Sequence, residues 1–374
     1  TVTVQPGQSI QKAIDGAREG AVICLAEGVW EENITITKSL KLRGIGQEQS
    51  RIQGKLEEYQ PLVYKPVIHI LSEVQISVDI DALMVYGIRV NYGVFSTILI
   101  EGKARVTITN TRASGSADRS IWLKDSAEAT IVDSLISNSR TGIQIDDLAQ
   151  LNITRSVVSN SEIGIWLANS AQATITLSQV SSNESFGIVL YNSARLTISS
   201  SVISHNFAGI AVSDSAQAII ATSQIEGNTM GIAGIELWSP AQVTVKGSNI
   251  ANNRLIGINM YSRSGQLTVS DSQISNNGWI GVALNGSVQG IIATSTIKGN
   301  GTDETSCPLQ EFYCNGILIG KLSQLKLVRS NVSANADWGI GALLRVCGAP
   351  VNLFPDQVIF EDMMLEDISR NNVS

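Results

Sequence analysis

Between residues 120 and 215 the chain says nearly the same thing four times: SIWLKDSAEATIVDSLISNSRT, GIQIDDLAQLNITRSVVSNSEI, GIWLANSAQATITLSQVSSNESF and GIVLYNSARLTISSSVISHNFA. Ile121, Ile143, Ile165, Ile188 and Ile210 follow one another at intervals of 22, 22, 23 and 22 residues. A period this short belongs to a solenoid, because one unit cannot bury its own apolar stripe and must stack on the next. Each unit holds three short segments, GIxLx, ATIxx and SxISxN, and in the first two apolar and polar residues alternate as they do along a strand. Ile, Val and Thr dominate the segments, while Ser, Ala, Gly and Asn sit at the corners. Each strand therefore pairs in parallel with its counterpart one coil away, at about 4.8 Å.

The expected fold is all-β, a single-stranded parallel β-helix of about 12 coils. Two columns follow from it. Asn138, Asn160 and Asn183 each precede the glycine of the next unit by four residues, with Asn206, Asn253, Asn277 and Asn335 in related places, the pattern of a ladder of stacked turn asparagines. Gly142, Gly164, Gly187, Gly209, Gly234, Gly257, Gly281, Gly316 and Gly339 form the second column, which calls for either a positive φ or a close backbone approach.

Units such as GIWLANSAQATITLSQVSSN resemble the repeats of right-handed parallel β-helix proteins of the pectin-lyase-like superfamily, especially the NosD-type branch. The resemblance covers almost the whole chain and implies a right-handed coil, in line with the hand of parallel crossovers generally. It also implies an exported protein, periplasmic, cell-surface or extracellular. The opening segment PGQSIQKAIDGAREGAVICLAEGVWEENITITKSLKLRGIG is similar to the entry of NosD-type proteins and pectin methylesterases, where a short helix closes the solenoid. The glutamines, aspartates and arginine of methylesterase catalysis have no match in the chain. Asn-Thr-Asp, Gly-His-Gly and Arg-Ile-Lys of galacturonase-like enzymes and Asp-Pro-His of alginate epimerases are also missing.

One domain over residues 1–374 is expected, with a cap at 1–20, coils over about 21–343, an inserted loop at 300–315 and an irregular cap over about 344–374. Ser9 is placed to cap a helix that carries Ile10, Ala13, Ile14 and Ala17 on one face, although Lys12 stands where a capping box wants Glu or Gln. Extra residues near Tyr86 to Ser96 and in GNGTDETSCPLQEFYCN interrupt the period, and long loops on a rigid scaffold are favoured places for function. Cys307 and Cys314 bracket the second loop and are positioned to close it by a disulfide, with Cys347 as a rival partner; Cys24 is expected as a lone buried thiol. No run of about 18 apolar residues exists to span a membrane as a helix. A net charge of −7 and a pI near 5.0 argue against nucleic acid as the partner.

The outward residues of the first strand differ from those of the other two. After the leading Ile they run Trp122, Gln144, Trp166, Val189, Ala211, Glu236 and Asn259, and two residues later Lys124, Asp146, Ala168, Tyr191, Ser213, Trp238 and Tyr261. Exposed Trp and Tyr mark a contact surface, and sugar rings stack their C–H faces on such rings while Asp, Glu, Asn and Gln meet their hydroxyls. Trp122, Gln144, Trp166, Tyr191, Glu236, Trp238, Asn259 and Tyr261 are therefore the candidate substrate-binding residues for an extended polysaccharide. The resemblance agrees, since enzymes of this superfamily carry their groove along the equivalent strand. Glu101, Lys124 and Asp146 fall in successive coils of one column and are the candidate catalytic group, with Arg119 and Arg140 nearby. In a lyase Lys124 or an arginine would act as base while acidic neighbours held calcium over a uronate; no other cofactor is expected. The competing reading of the group is a cross-strand salt-bridge ladder. Asp147 aligns with Asp125, Asn169, Asn192 and Asp214 and reads as a turn residue. The overall expectation is a polysaccharide-binding protein, as a lyase or glycoside hydrolase if it is an enzyme; the alternative is a structural, adhesive or maturation-factor surface protein.

Overall fold

The computed structural model describes residues 1–56, 58–60, 63–87, 95–235, 240–301, 314–320, 322–336, 339–343 and 358–362. The chain divides into two compact units, Thr1–Glu184 and Ser185–Ser374. Both are stacks of parallel β coils, and among the described residues the short third strands number 13, close to the expected count of coils.

Unit 1 opens with the strand Val2–Val4, paired in parallel with Ala21–Leu25, and the helix Ile10–Gly16. Ile10 and Ile14 are buried on the apolar face that the helical spacing predicts. Ser9 caps the helix, accepting from the Lys12 N–H. The carboxylate missing from the local sequence comes from the first coil instead: Glu32 accepts from Ser9 Oγ at 2.6 Å, from the Ile10 N–H at 2.8 Å and from the Gln11 N–H at 3.2 Å. Tertiary structure thus completes a capping box that the spacing leaves open.

The coils stack in strict register. In unit 1 Ile121, Ile143 and Ile165 pair in the first strand, Ile131, Ile153 and Ile175 in the second, and Ile136, Val158 and Val180 in the third. All are at most 1% exposed, so the core is three columns of β-branched side chains. In unit 2 Ile210, Ile232, Ile258 and Val282 continue a first-strand column. The leading residue of that coil is Ile232 rather than Ile235, and the column glycine is Gly231 rather than Gly234. MGIAGIELW offers two Gly-Ile pairs, and the ladder residue Asn228 fixes the strand start just upstream of the first.

The glycine column exists for close approach. A Cβ on Gly142, Gly187, Gly209 or Gly281 would lie 2.6 Å from the carbonyl oxygen of the next coil's glycine, and none of the four has a positive φ. The polar ladder also differs from expectation. Asn138 and Asn160 are not in it; they take left-handed φ values of 59° and 54° at the turn, and the next residues, Ser139 and Ser161, occupy the ladder. Asn183 accepts from the Ser161 N–H at 3.1 Å in unit 1. In unit 2 Asn206, Asn228, Asn253, Asn277 and Asn300 each donate both the backbone N–H and Nδ2 to the Oδ1 of the next ladder residue, ending at Asn335. Asn183 and Asn300, which sit in Asn-x-Ser/Thr triplets, are consequently buried.

Other expectations are amended too. Cys24 is a free thiol but only half-buried, because its neighbours Ile23 and Leu25 take the inward positions. Cys314 is disulfide-bonded; Cys307 and Cys347 lie outside the described residues. So do most of the inserted loops and of the tail. Within the tail, Val358–Glu361 pairs in parallel with Gln324–Val328, so that segment prolongs the second-strand column rather than forming irregular cap.

The ladder should carry much of the stability of unit 2. Asn228→Ala strips the Asn206 N–H and Nδ2 of their shared acceptor and takes one of the two donors from Asn253 Oδ1, a loss of about 2 kcal/mol. The exposed Gln266→Ala should change stability by less than about 0.5 kcal/mol. Urea unfolding of the two variants checks this, and equal costs would refute the ladder's role.

Candidate functional site

First strands of unit 1 bring the site together. Its residues lie on Ile68–Asp81, Ser96–Thr109, Arg119–Leu123, Thr141–Ile145 and Ile163–Leu167. Since Ile68, Ile98, Ile121, Ile143 and Ile165 point into the core, the residues beside them face outward. Register puts His69, Leu99, Trp122, Gln144 and Trp166 in one column. Glu101, Lys124 and Asp146 follow two residues on.

The three candidate catalytic residues form two linked groups. Lys124 Nζ donates to Glu101 Oε1 at 3.0 Å, while Glu101 Oε2 lies 2.6 Å from His69 Nε2. Asp146 is not an ion partner of Lys124. Its Oδ2 accepts instead from Trp122 Nε1 at 2.6 Å and from Gln144 Nε2 at 2.8 Å. Trp122 joins the groups, with the Arg119 guanidinium 4.1 Å and the Lys124 ammonium 4.9 Å from its ring. Arg119 also donates to Gln144 Oε1 and to Asp118. Arg140 lies 3.8 Å from Asp118 and 3.7 Å from Glu162.

Electrostatics divide the cluster. The His69 hydrogen bond, helped by Lys124 and opposed by burial, holds the Glu101 carboxyl down at about 2. An ionised Glu101 can only accept, so the His69 Nε2 is the donor of that bond. At the other end burial pushes the Asp118 carboxyl above its usual range and the Arg119 guanidinium below its own, against their mutual attraction. The site therefore pairs a fixed carboxylate with an imidazole and an ammonium, and an acid-base step on a bound molecule needs such groups. Among the described residues no cluster of three or more His, Cys, Asp or Glu is arranged to hold a metal.

His69 and Asp118 escape the sequence reading. His69 follows Ile68 as Trp122 follows Ile121, so the column could have been extended to it; Ile68 and Ile98 are 30 residues apart, and the long gap hid the match. Asp118 has no such signal, because it lies in a turn outside the strand alternation.

Within unit 2 the expected face is uneven. Val189, Ala211, Ala233 and Ala283 hold outward positions yet are at most 2% exposed. Ala233, not Glu236, occupies the column between Ala211 and Asn259. Glu236 and Trp238 lie outside the described residues. Tyr191 is half-buried, Asn259 pairs with Ala283, and Tyr261 is exposed. Asp125, Asp147, Asn169, Asn192 and Asp214 are turn residues as read, all with φ between 54° and 60°.

A family model described as a right-handed β-helix region matches residues 78–230 and 208–354. Comparison with curated proteins found no match. Among solved structures the chain is similar to the A-module of mannuronan C-5 epimerase AlgE4 of Azotobacter vinelandii, at 15% identity over 94% of this chain and 92% of that one, with a TM-score of 0.58. It is similar to the periplasmic alginate epimerase AlgG, at 13% identity over 91% of this chain and 84% of that one, with a TM-score of 0.60. The catalytic unit of a GH87 α-1,3-glucanase from Streptomyces thermodiastaticus gives 12% identity over 86% and 65%, with a TM-score of 0.59. At these identities the likeness is one of fold.

Glu101 gives the cluster a pH signature. Its depression from 4.5 to about 2 would be worth about 3 kcal/mol without screening and less than that for a partly exposed group. A lowered carboxylate pKa contributes stability in full above the ordinary value and loses it as pH falls through the folded value. The stability difference between wild type and Glu101→Gln should be constant above about pH 5 and shrink toward zero near pH 2. Unfolding at a series of pH values measures it, and a difference independent of pH would contradict the assignment.

Proposed function

We propose that this chain, which belongs to the right-handed β-helix family, binds an extended polysaccharide along the first-strand face of unit 1. One observation carries the reading: Trp122, Gln144 and Trp166 stand in register in successive coils, half-buried beside Glu101, Lys124 and Asp146. Coils about 4.8 Å apart match the advance of a glycan by roughly one ring per coil. Aromatic edges and faces suit the C–H side of each ring, and Gln144 and Asp146 suit its hydroxyls. The names of the structural neighbours, two alginate epimerases and a glucanase, support the same substrate class.

Turnover is the further step of this reading. Glu101 orients His69 and Lys124 from opposite sides, so one of them can take a proton from a sugar carbon or hydroxyl while the other returns one. Calcium belongs to this proposal only if the substrate is a uronate, whose carboxylate would add ligands to a face with no metal-holding cluster among the described residues. An exported location fits the disulfide at Cys314. No helix among the described residues is long and apolar enough to cross a membrane. The second reading, a binding or adhesive surface without chemistry, draws on the fact that Glu101 and Lys124 already satisfy one another.

Trp166→Ala should weaken binding of neutral and acidic oligosaccharides at least tenfold, the worth of one stacked ring, without changing the melting temperature by more than a few degrees. Lys124→Ala should abolish any rise in absorbance at 235 nm on pectate or alginate. Unchanged glycan binding by Trp166→Ala would remove the face from consideration. Binding without turnover in the wild type would leave the non-catalytic reading.

A further inference from the structure

A different face of unit 1 carries charge that the fold answers only in part. On the third strands, Arg51, Met84 and Arg112 stand in one outward column and Gln53, Tyr86 and Ser114 in the next. The Arg51 guanidinium lies 4.5 Å from the Tyr86 ring and has no carboxylate partner among the described residues. Tyr86 is itself fixed from the other side: a Cβ on Gly115 would sit 2.5 Å from the ring, and Gly115 has a φ of 81°. Arg112 has one acidic neighbour, Glu48, at 3.7 Å, and the Glu48 side chain is 76% exposed. Neither Arg51 Nε nor Arg112 Nε meets an acceptor, and the Ser114 hydroxyl is buried without one.

A half-buried guanidinium normally finds a carboxylate, because lost hydration must be replaced. Here a chain of net charge −7 has acidic groups to offer, and among the described residues none stands in fork geometry against either arginine. Arg51 and Arg112 are two coils apart, about 10 Å along the stack, close to the length of two pyranose rings in an extended chain. Between them Met84 presents an apolar surface, while Gln53 and Tyr86 run alongside with an amide and a phenol. Cation, apolar surface and cation, flanked by hydrogen-bonding groups, is the complement of a glycan bearing one anionic group on every second sugar.

We infer that the third-strand face of unit 1 is a second glycan site, selective for an acidic polysaccharide whose carboxylates or sulfates recur once per disaccharide. The two arginines each take one anionic group, and Tyr86 and Met84 support the rings between them. This site shares no residue with the first-strand face and does not depend on it.

The probe is hyaluronan hexasaccharide, with cellohexaose as the neutral control, titrated calorimetrically into the full chain at several salt concentrations. Wild type should bind the acidic hexasaccharide more tightly at low salt, and Arg51→Gln with Arg112→Gln should weaken that binding at least tenfold and flatten its salt dependence. Arg51→Lys with Arg112→Lys keeps the charge and loses the planar fork, so its affinity should fall between the two. Circular dichroism melting of each variant verifies that the coils are intact. Trp122→Ala with Trp166→Ala should leave this binding in place, which separates the result from the fate of the first-strand proposal. The inference is overturned if wild type does not bind the acidic hexasaccharide, if a folded double Gln variant binds it as wild type does, or if only the tryptophan variant loses it.

Discussion

Backbone pairing of one coil with the next, in register and without slippage, is the constraint from which the rest of each unit follows. Three features enforce it together. Parallel ladders fix the distance, the inward Ile and Val columns fix the face, and the corner between third and first strands is locked by a buried hydrogen-bond ladder beside a glycine contact. The corner is the least forgiving part. At Gly142, Gly187, Gly209, Gly231, Gly257, Gly281 and Gly316 a Cβ would come within 2.5–2.7 Å of the next coil's carbonyl oxygen, and an amide or hydroxyl of one coil serves the backbone N–H of its neighbour. A polar group left over there would be buried without water, and from Ser116 to Asn335 the ladder residues are Ser or Asn.

Register also makes the surface meaningful. Because residues two apart share a face, a side chain on one coil meets its counterpart from the next, and charge or aromatic character accumulates by column. On the first strands of unit 1 this brings Glu101 between His69 and Lys124, and sets Trp122 against Asp146 with two cations near its ring. The hydrogen-bonded partners His69 and Glu101, Glu101 and Lys124, and Trp122 and Asp146 are all far apart in sequence. On the third strands the same rule lines up Arg51, Met84 and Arg112. One scaffold therefore displays two chemically distinct faces without any change in its core.

The fold was legible because periodicity states it directly: Ile121, Ile143 and Ile165 sit where their spacing puts them, and Ser9, Ile10 and Ile14 form the expected cap. Register within an irregular coil was harder. Two Gly-Ile pairs in MGIAGIELW are equivalent as text, and only the Asn228 ladder contacts choose between them. Asn138 and Asn160 misled for a related reason, since a left-handed turn residue and a ladder residue are neighbours with similar composition. At the site, adjacency of Glu101 and Lys124 could be read from the repeat. That Asp146 serves Trp122 and Gln144 rather than Lys124 depends on side-chain directions that spacing does not encode. Glu32 completing the helix cap belongs to the same class of long-range contact.

The central claim is that the first-strand face of unit 1 is a continuous track for a glycan chain. From His69 to Trp166 it spans four coil steps, about 19 Å or room for about four sugar rings. Calorimetric titration with oligosaccharides of increasing length measures that track directly. The account predicts affinity that climbs with each added ring and levels off at about four. Affinity that is the same for a disaccharide and a hexasaccharide, or absent for every length, would contradict it.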